Sequence, residues 1–241
     1  MSTARVRLGS SVGKKLLNGL TGVFLLLFIV AHLAGNLTIF FGPDALNGYA
    51  ATTHALGPIL IAVELGLGLV FLLHAVSAIV VWRDNRRARS TRYAVAASKG
   101  GQSKQTIASR TMIVTGIVLL AFLVIHLWQF RFGPGPDRGY VAELHGEQVW
   151  DLWRIVVETF KQPLWVAFYV AVMVLLGFHL RHGFWSAFQS IGALRPGLRS
   201  AAFSAGLVFA IAIAAGFVVL PIYVYLFVPM PETSAFALVQ P

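Results

Sequence analysis

The amino-acid sequence predicts an all-α integral membrane protein, a bundle of five transmembrane helices with the N-terminus cytoplasmic and the C-terminus outside. Three observations carry this expectation. Of 241 residues, 57% are hydrophobic and 12% charged, with a mean hydropathy of +0.76, whereas about a quarter of a soluble domain is charged. Five apolar runs, at about 15–41, 58–82, 109–132, 163–188 and 201–228, each reach the roughly 20 residues that a helix needs to cross a bilayer. Finally, 15 of the 19 Lys and Arg fall on one side of the predicted crossings, the bias that marks the cytoplasmic side. Lipid offers no partner to a backbone N–H or C=O, and the runs lack the alternation of a barrel strand, so helix is the expected form of each.

The first run follows Arg5, Arg7, Lys14 and Lys15. A secretory signal also begins basic and turns apolar, but this run is too long for a signal core and lacks a small-residue cleavage site, so it reads as an uncleaved helix. The second opens at Pro58, carries Glu64 and His74, and closes at Trp82. The loop from Arg83 to Ser109 is basic and polar, suited to anionic lipid heads or to a cytoplasmic protein partner. The third run carries His126, Trp128 and Arg131 and meets the breaker Gly133-Pro134-Gly135-Pro136. Beyond it, Val149, Leu152, Trp153, Val156 and Phe160 recur at helical spacing and predict a helix lying on the membrane surface. The fourth run holds His179, Arg181 and His182; the fifth has no histidine, and Pro221 is expected to bend its outer half. Trp82, Trp128, Trp165 and Trp185 lie near span ends, where an indole suits the headgroup layer. No internal repeat is read, and the chain counts as one domain, 1–241.

The charges set the orientation. Four basic residues precede the first span, eight lie from Arg83 to Arg110 and three from Arg181 to Arg199. The opposite side holds Arg131, Arg138, Arg154 and Lys161 with seven acids, Asp44, Asp137, Glu143, Glu147, Asp151, Glu158 and Glu232. The net charge of +10 therefore reports topology in a multi-pass protein of the cytoplasmic membrane, and no nucleic-acid partner is expected. The absence of cysteine excludes disulfides, iron–sulfur clusters and thiolate metal sites within this chain.

Four histidines, His32, His74, His126 and His179, lie deep in four successive spans, where ionisable groups are costly and usually functional. His32 and His126 each lie about 17 residues from the inner end of their helices, and His74 and His179 about 16 residues from the outer ends of theirs. The opposite helix directions sort them into two levels, His32 with His126 near the outer face and His74 with His179 near the inner face, roughly 15 Å apart. Two facing imidazoles are what a low-spin haem needs above and below its iron, and such a haem passes electrons. Zinc is disfavoured because each level offers two imidazoles rather than about four ligands. Gly35 and Gly177 would let a flat macrocycle approach the backbone, or else serve helix packing. His182 follows His179 by one helical turn and is the alternative ligand; with Arg181 it otherwise serves haem propionates or an inner quinone. His54 and His145 fall in outer loops and read as solvated.

With these residues in place, the sequence resembles the di-haem cytochrome b membrane anchor of succinate:quinone oxidoreductases, the succinate dehydrogenases and fumarate reductases. The resemblance covers nearly the whole chain. It rests on five helices with one histidine in each of the first four, on Ala31-His32-Leu33-Ala34-Gly35-Asn36-Leu37, and on Phe178-His179-Leu180-Arg181-His182-Gly183-Phe184-Trp185-Ser186-Ala187-Phe188-Gln189. It implies two haem b groups, His74 and His179 holding the proximal one and His32 and His126 the distal one. It implies a flavoprotein subunit that oxidises succinate and an iron–sulfur subunit that hands electrons to the anchor at the cytoplasmic face. That surface would be built from Ser11 to Asn18, the inner loop and the Arg181–Arg199 turn. The chain carries no dinucleotide fingerprint of its own, so the succinate chemistry belongs to those other chains. Menaquinone is the quinone the resemblance implies, and a higher oligomer of the complex, such as a trimer, stays open.

Two quinone positions are expected. Glu64, about two turns into the second span from the outer face, could exchange protons with a quinone beside the distal haem, or be a hydrogen-bonded acid. Lys14, Asn18, His182, Trp185 and Gln189 form the inner rival. Two other readings share part of this pattern: a different transmembrane di-haem cytochrome b without soluble partners, and a haem-free proton-coupled transporter, which the absence of inverted halves with broken helices argues against.

Overall fold

The computed structural model describes residues 9–87 and 107–231. Residues 88–106 of the basic loop, Arg5, Arg7 and Glu232 lie outside the described residues. Five helices are long and apolar enough to cross a membrane, with mean hydropathies of 2.0 to 2.6 over their most apolar windows. They alternate in direction, so that Lys14, Arg83, Arg87, Arg195 and Arg199 gather at one end of the bundle, called here the basic end.

Helix α1 (Ser11–Asn36) starts where the Ser10 hydroxyl accepts from the Gly13 amide at 3.0 Å, satisfying one of the free N–H groups of the first turn. It continues as a tight turn over Leu37–Phe41 and ends at Gly42, whose φ of +96° only glycine adopts easily. Pro43 then opens α2 (Pro43–His54), its fixed φ suited to the first turn. Helix α3 (Pro58–Arg87) returns to the basic end, and α4 (Ile107–His126) runs back beside α6 (Pro163–Ser190). Helix α7 (Arg199–Phe227) packs closely on α6 and also reaches α1.

The core lies along α6 and α7, where Tyr169, Val172, Met173, Leu176 and Leu180 pack with Ala210, Ile213, Phe217, Leu220 and Val224. Small residues let the backbones approach, as membrane helices without a hydrophobic drive between them require. A Cβ on Gly177 would lie 3.0 Å from the Ala214 Cβ, and one on Gly216 would lie 2.8 Å from the Leu33 side chain. By contrast, on α3 the only buried residue is Ser77, while Ile59, Leu65, Leu69 and Leu72 stand 57 to 71% exposed. An exposed aliphatic face of that extent is unsuited to water and suited to lipid.

Four findings correct the sequence expectations. Val149 belongs to a strand, not to the predicted surface helix: a hairpin of β1 (Val141–Leu144) and β2 (Glu147–Trp150) precedes α5 (Leu152–Phe160), so the fold is not purely helical. The hairpin turns at His145, with φ +53°, and Gly146, with φ +84°. Helix α5 is not a free surface helix, because Val157 is fully buried and Ile155 and Phe160 join it. The first far-end connection folds as α2, whose Asn47 is 3% exposed, donates to Asp151 Oδ1 at 3.1 Å and accepts from the Trp153 amide at 2.9 Å. Asn47 thereby holds α2 to the start of α5, which Asp151 caps by accepting from the Arg154 amide at 3.0 Å.

The fourth correction concerns repetition. Thr21-Gly22-Val23-Phe24-Leu25-Leu26-Leu27-Phe28-Ile29-Val30-Ala31-His32-Leu33 on α1 matches Thr115-Gly116-Ile117-Val118-Leu119-Leu120-Ala121-Phe122-Leu123-Val124-Ile125-His126-Leu127 on α4 at the Thr, Gly, two Leu, Phe, Val, His and final Leu. Likewise Pro58 precedes His74 on α3 by the same sixteen residues that separate Pro163 from His179 on α6. Helices α1 and α4 thus share one motif, and α3 and α6 one Pro-to-His spacing, each pair of helices running in the same direction.

Candidate functional site

At the far level, the aromatic residue one turn before each histidine positions it. Phe28 stacks on His32 with ring centroids 5.4 Å apart, and Phe122 stacks on His126 at 5.5 Å, each pair at i,i+4 on one helix face. The two imidazoles then face one another across α1 and α4, 5.7 Å between centroids and 89° between planes. That separation fits the roughly 6 Å that two imidazoles on opposite sides of one metal ion need, from two bonds of about 2 Å and the ring radii. Tyr169 lies beside His126. Its hydroxyl donates to Gln129 Oε1 at 2.5 Å and lies 3.5 Å from His126 Nδ1. A proton on Nδ1 would leave Nε2 with its lone pair free to ligate. His32 differs: its Nε2 lies 3.5 Å from Asn36 Nδ2, which also donates to the His32 carbonyl at 2.8 Å, so the amide must yield before this nitrogen holds a metal.

The basic-end level repeats the logic with threonine. Thr21 donates to the Leu17 carbonyl at 2.8 Å, and its oxygen lies 3.3 Å from His74 Nδ1. On α4, Thr115 donates to the Thr111 and Met112 carbonyls at 3.1 Å each and meets His179 Nδ1 at 3.1 Å. Thr21 and Thr115 are both buried. His74 and His182 lie within electrostatic range of His179. Among the described residues no three His, Asp or Glu side chains converge on one point.

The glycines beside the imidazoles are not those expected from sequence. A Cβ on Gly35 would enter the Tyr49 ring, and Gly177 packs against Ala214, so both serve helix contacts. Instead, Gly22 faces His74, at 3.4 Å from a built Cβ to the ring, and Gly116 faces His179 at 3.6 Å. The repeated Thr-Gly eleven residues before a histidine was the available signal for Thr21, Gly22, Thr115 and Gly116. Tyr169 and Gln129 carried no signal of their own, because their roles depend on how α4 and α6 face each other.

The remaining predicted residues fall at several places. Glu64 is engaged by Arg131 in a two-pronged ion pair, Nε to Oε1 at 2.7 Å and a terminal nitrogen to Oε2 at 3.0 Å, joining the far ends of α3 and α4. A π-turn at Leu127–Arg131, directly after His126, carries both Arg131 and Gln129; such turns recur at functional sites. The inner set is divided among different neighbours. Lys14 pairs with Asp84 at 2.7 Å, Asn18 Oδ1 accepts from Ser77 at 3.1 Å, Trp185 meets Phe203 edge-on at 6.5 Å, and Gln189 is exposed. Arg181 lies over the Phe203 ring, and its buried Nε has no hydrogen-bond partner among the described residues. That donor, two residues beyond His179, fits an anionic group such as a haem propionate. His54 and His145 are exposed, His54 against Trp150 at 5.2 Å.

A cleft of about 350 Å³ opens at the far end beside the His32–His126 level, lined by Trp128, Gln129, Phe132, Arg138, Glu158 and Gln162 among others. One wall is Gln129, the acceptor of the Tyr169 hydroxyl that meets His126. Below it, Glu158 accepts from Tyr140 at 2.6 Å and from Arg154 at 2.9 Å. Burial, and then the neighbouring Glu158 carboxylate, push the Tyr140 phenol above its ordinary value. In comparisons with known proteins, no family model, curated protein or solved structure matches this chain.

Proposed function

We propose that this chain is the di-haem cytochrome b membrane anchor of a succinate:quinone oxidoreductase, seated in the cytoplasmic membrane with its N-terminus and basic end in the cytoplasm and its C-terminus outside. The observation that carries the proposal is the approach of two imidazoles from α1 and α4, with two further imidazoles on α3 and α6 toward the basic end. His32 faces His126 at 5.7 Å, while His74 and His179 each have Nδ1 met by a threonine hydroxyl. Eleven residues of α1 separate Thr21 from His32, so the levels lie about 16 Å apart.

His74 and His179 would hold the haem nearer the cytoplasm, with Arg181 and His182 toward its propionates, and His32 and His126 the other. Haem b, when bound by two imidazoles, supplies one-electron redox chemistry without an open coordination site. The chain's own residues would hold the ring nitrogens, exclude water with the aliphatic faces of α6 and α7, and keep a carboxyl group, Glu64, at the far end for quinone turnover, with menaquinone as the expected species. The basic end would meet the iron–sulfur subunit, and through it the flavoprotein that oxidises succinate.

The experiment is a reduced-minus-oxidised spectrum with haem quantification on the purified complex, for the wild type, His32→Ala and His74→Ala. Two haem b per chain, one different centre lost in each variant, and copurifying flavin and iron–sulfur subunits are expected. Absence of haem would overturn the electron-transfer reading. Haem without soluble partners would leave a transmembrane cytochrome b of another kind.

A further inference from the structure

From the repeated motif and its two threonine–imidazole contacts we infer that Thr21 and Thr115 are paired positioning residues that set one redox centre, each holding the Nδ1–H of one imidazole so that both Nε2 atoms turn toward a common metal. The inference rests on the haem reading above and adds to it the residues that set ligand strength. Four observations support it. The two threonines occupy equivalent places, each eleven residues before the histidine of its own helix and followed by glycine. Each meets a histidine of another helix, Thr21 on α1 with His74 on α3 at 3.3 Å, and Thr115 on α4 with His179 on α6 at 3.1 Å. Each hydroxyl has a carbonyl of its own helix within reach to take its proton, at 2.8 Å for Thr21 and 3.1 Å for Thr115, an arrangement in which the oxygen accepts from a protonated Nδ1. Each is followed by the glycine that the imidazole packs against, Gly22 and Gly116.

The repeated motif also dictates which centre responds. His32 and His126, equivalent residues of the repeated motif, face each other at 5.7 Å, as counterparts do about a two-fold axis, and the same relation brings His74 and His179 to one centre. Thr21 and Thr115 therefore act on the same centre, although they are 94 positions apart in the chain. Threonine back-bonding to its own helix is common in membrane proteins and by itself says nothing of a ligand. A hydroxyl that also meets a ring nitrogen does more, because an acceptor on Nδ1–H raises the basicity of Nε2 and favours the oxidised metal.

The test is a redox titration of both b centres in the purified complex, for the wild type, Thr21→Val, Thr115→Val, and Thr→Ser at each position. Valine keeps the volume and removes the hydroxyl. Each Val variant is expected to raise the midpoint of one centre, the same one for both, by up to about 59 mV, a tenfold change in its oxidised-to-reduced ratio. The other centre stays in place, and serine restores the wild-type value. Loss of that one centre in the Val variants with full retention in the Ser variants supports the inference equally. Unmoved midpoints, two different centres moving, or serine failing to restore the shift would overturn it while two haems per chain stand. A wild type without haem would overturn the electron-transfer reading, and this inference with it.

Discussion

The Glu64–Arg131 pair is the polar clamp between α3 and α4 at the far end, and its strength can be worked from its geometry. Two charge-assisted contacts at 2.7 and 3.0 Å would contribute about 1.5 to 3 kcal/mol if buried. The side chains are 39% exposed for Arg131 and 35% for Glu64, so screening reduces this toward the value of a surface pair. A coupling of about 1 to 2 kcal/mol is the expected balance. The perturbation is a double-mutant cycle of Glu64→Gln, Arg131→Met and the double variant, read by thermal unfolding in one detergent. Each single variant leaves its partner with reduced compensation, so the double variant is expected to be more stable than the sum of the singles predicts. At about 2 to 4 °C per kcal/mol, the coupling corresponds to a melting shift of roughly 2 to 8 °C. A coupling below about 0.3 kcal/mol would refute the clamp, and additive singles would leave Glu64 free for proton exchange without releasing an arginine.

Asn47→Ala removes the side chain that both donates to Asp151 and accepts from the Trp153 amide; a loss of about 2 to 3 kcal/mol is expected, with proteolysis at the hairpin–α5 segment as the check. Gly35→Ala drives a methyl into the Tyr49 ring and is expected to destabilise by about 1 to 3 kcal/mol, whereas Gly22→Ala meets the His74 ring at 3.4 Å and changes stability by less than about 1 kcal/mol. Equal melting temperatures for the two variants would contradict this assignment. The Tyr140 phenol, raised first by burial and then by Glu158, gives stability that is complete below the unfolded phenol value of about 10 and is lost as pH rises through the higher folded value. Tyr140→Phe should flatten that alkaline loss in melting curves taken from pH 8 to 11.

The axial layout was legible in the order of the amino acids. Lipid leaves a spanning segment no choice but helix, so composition and run length give five spans, and the structure places them within a few residues of the expected limits, as at Pro58 and Pro163. A fixed rise of about 1.5 Å per residue turns position along a helix into depth, so the sharing of a level by His32 and His126 was readable before any contact was known. What one sequence does not carry is the rotation of each helix about its axis. Only the packed bundle reveals that Gly35 meets Tyr49 while Gly22 meets His74, that Arg131 turns to Glu64, and that Tyr169 donates to Gln129. The hairpin was missed for a related reason. Val149 fits a helical spacing on paper, but the tight turn at His145-Gly146 pairs β2 with β1 and so holds the start of the helix back to Leu152. Helix formation is a local consequence of the solvent, whereas the choice of facing neighbour is a lateral packing decision taken to within an ångström by residues far apart in the chain.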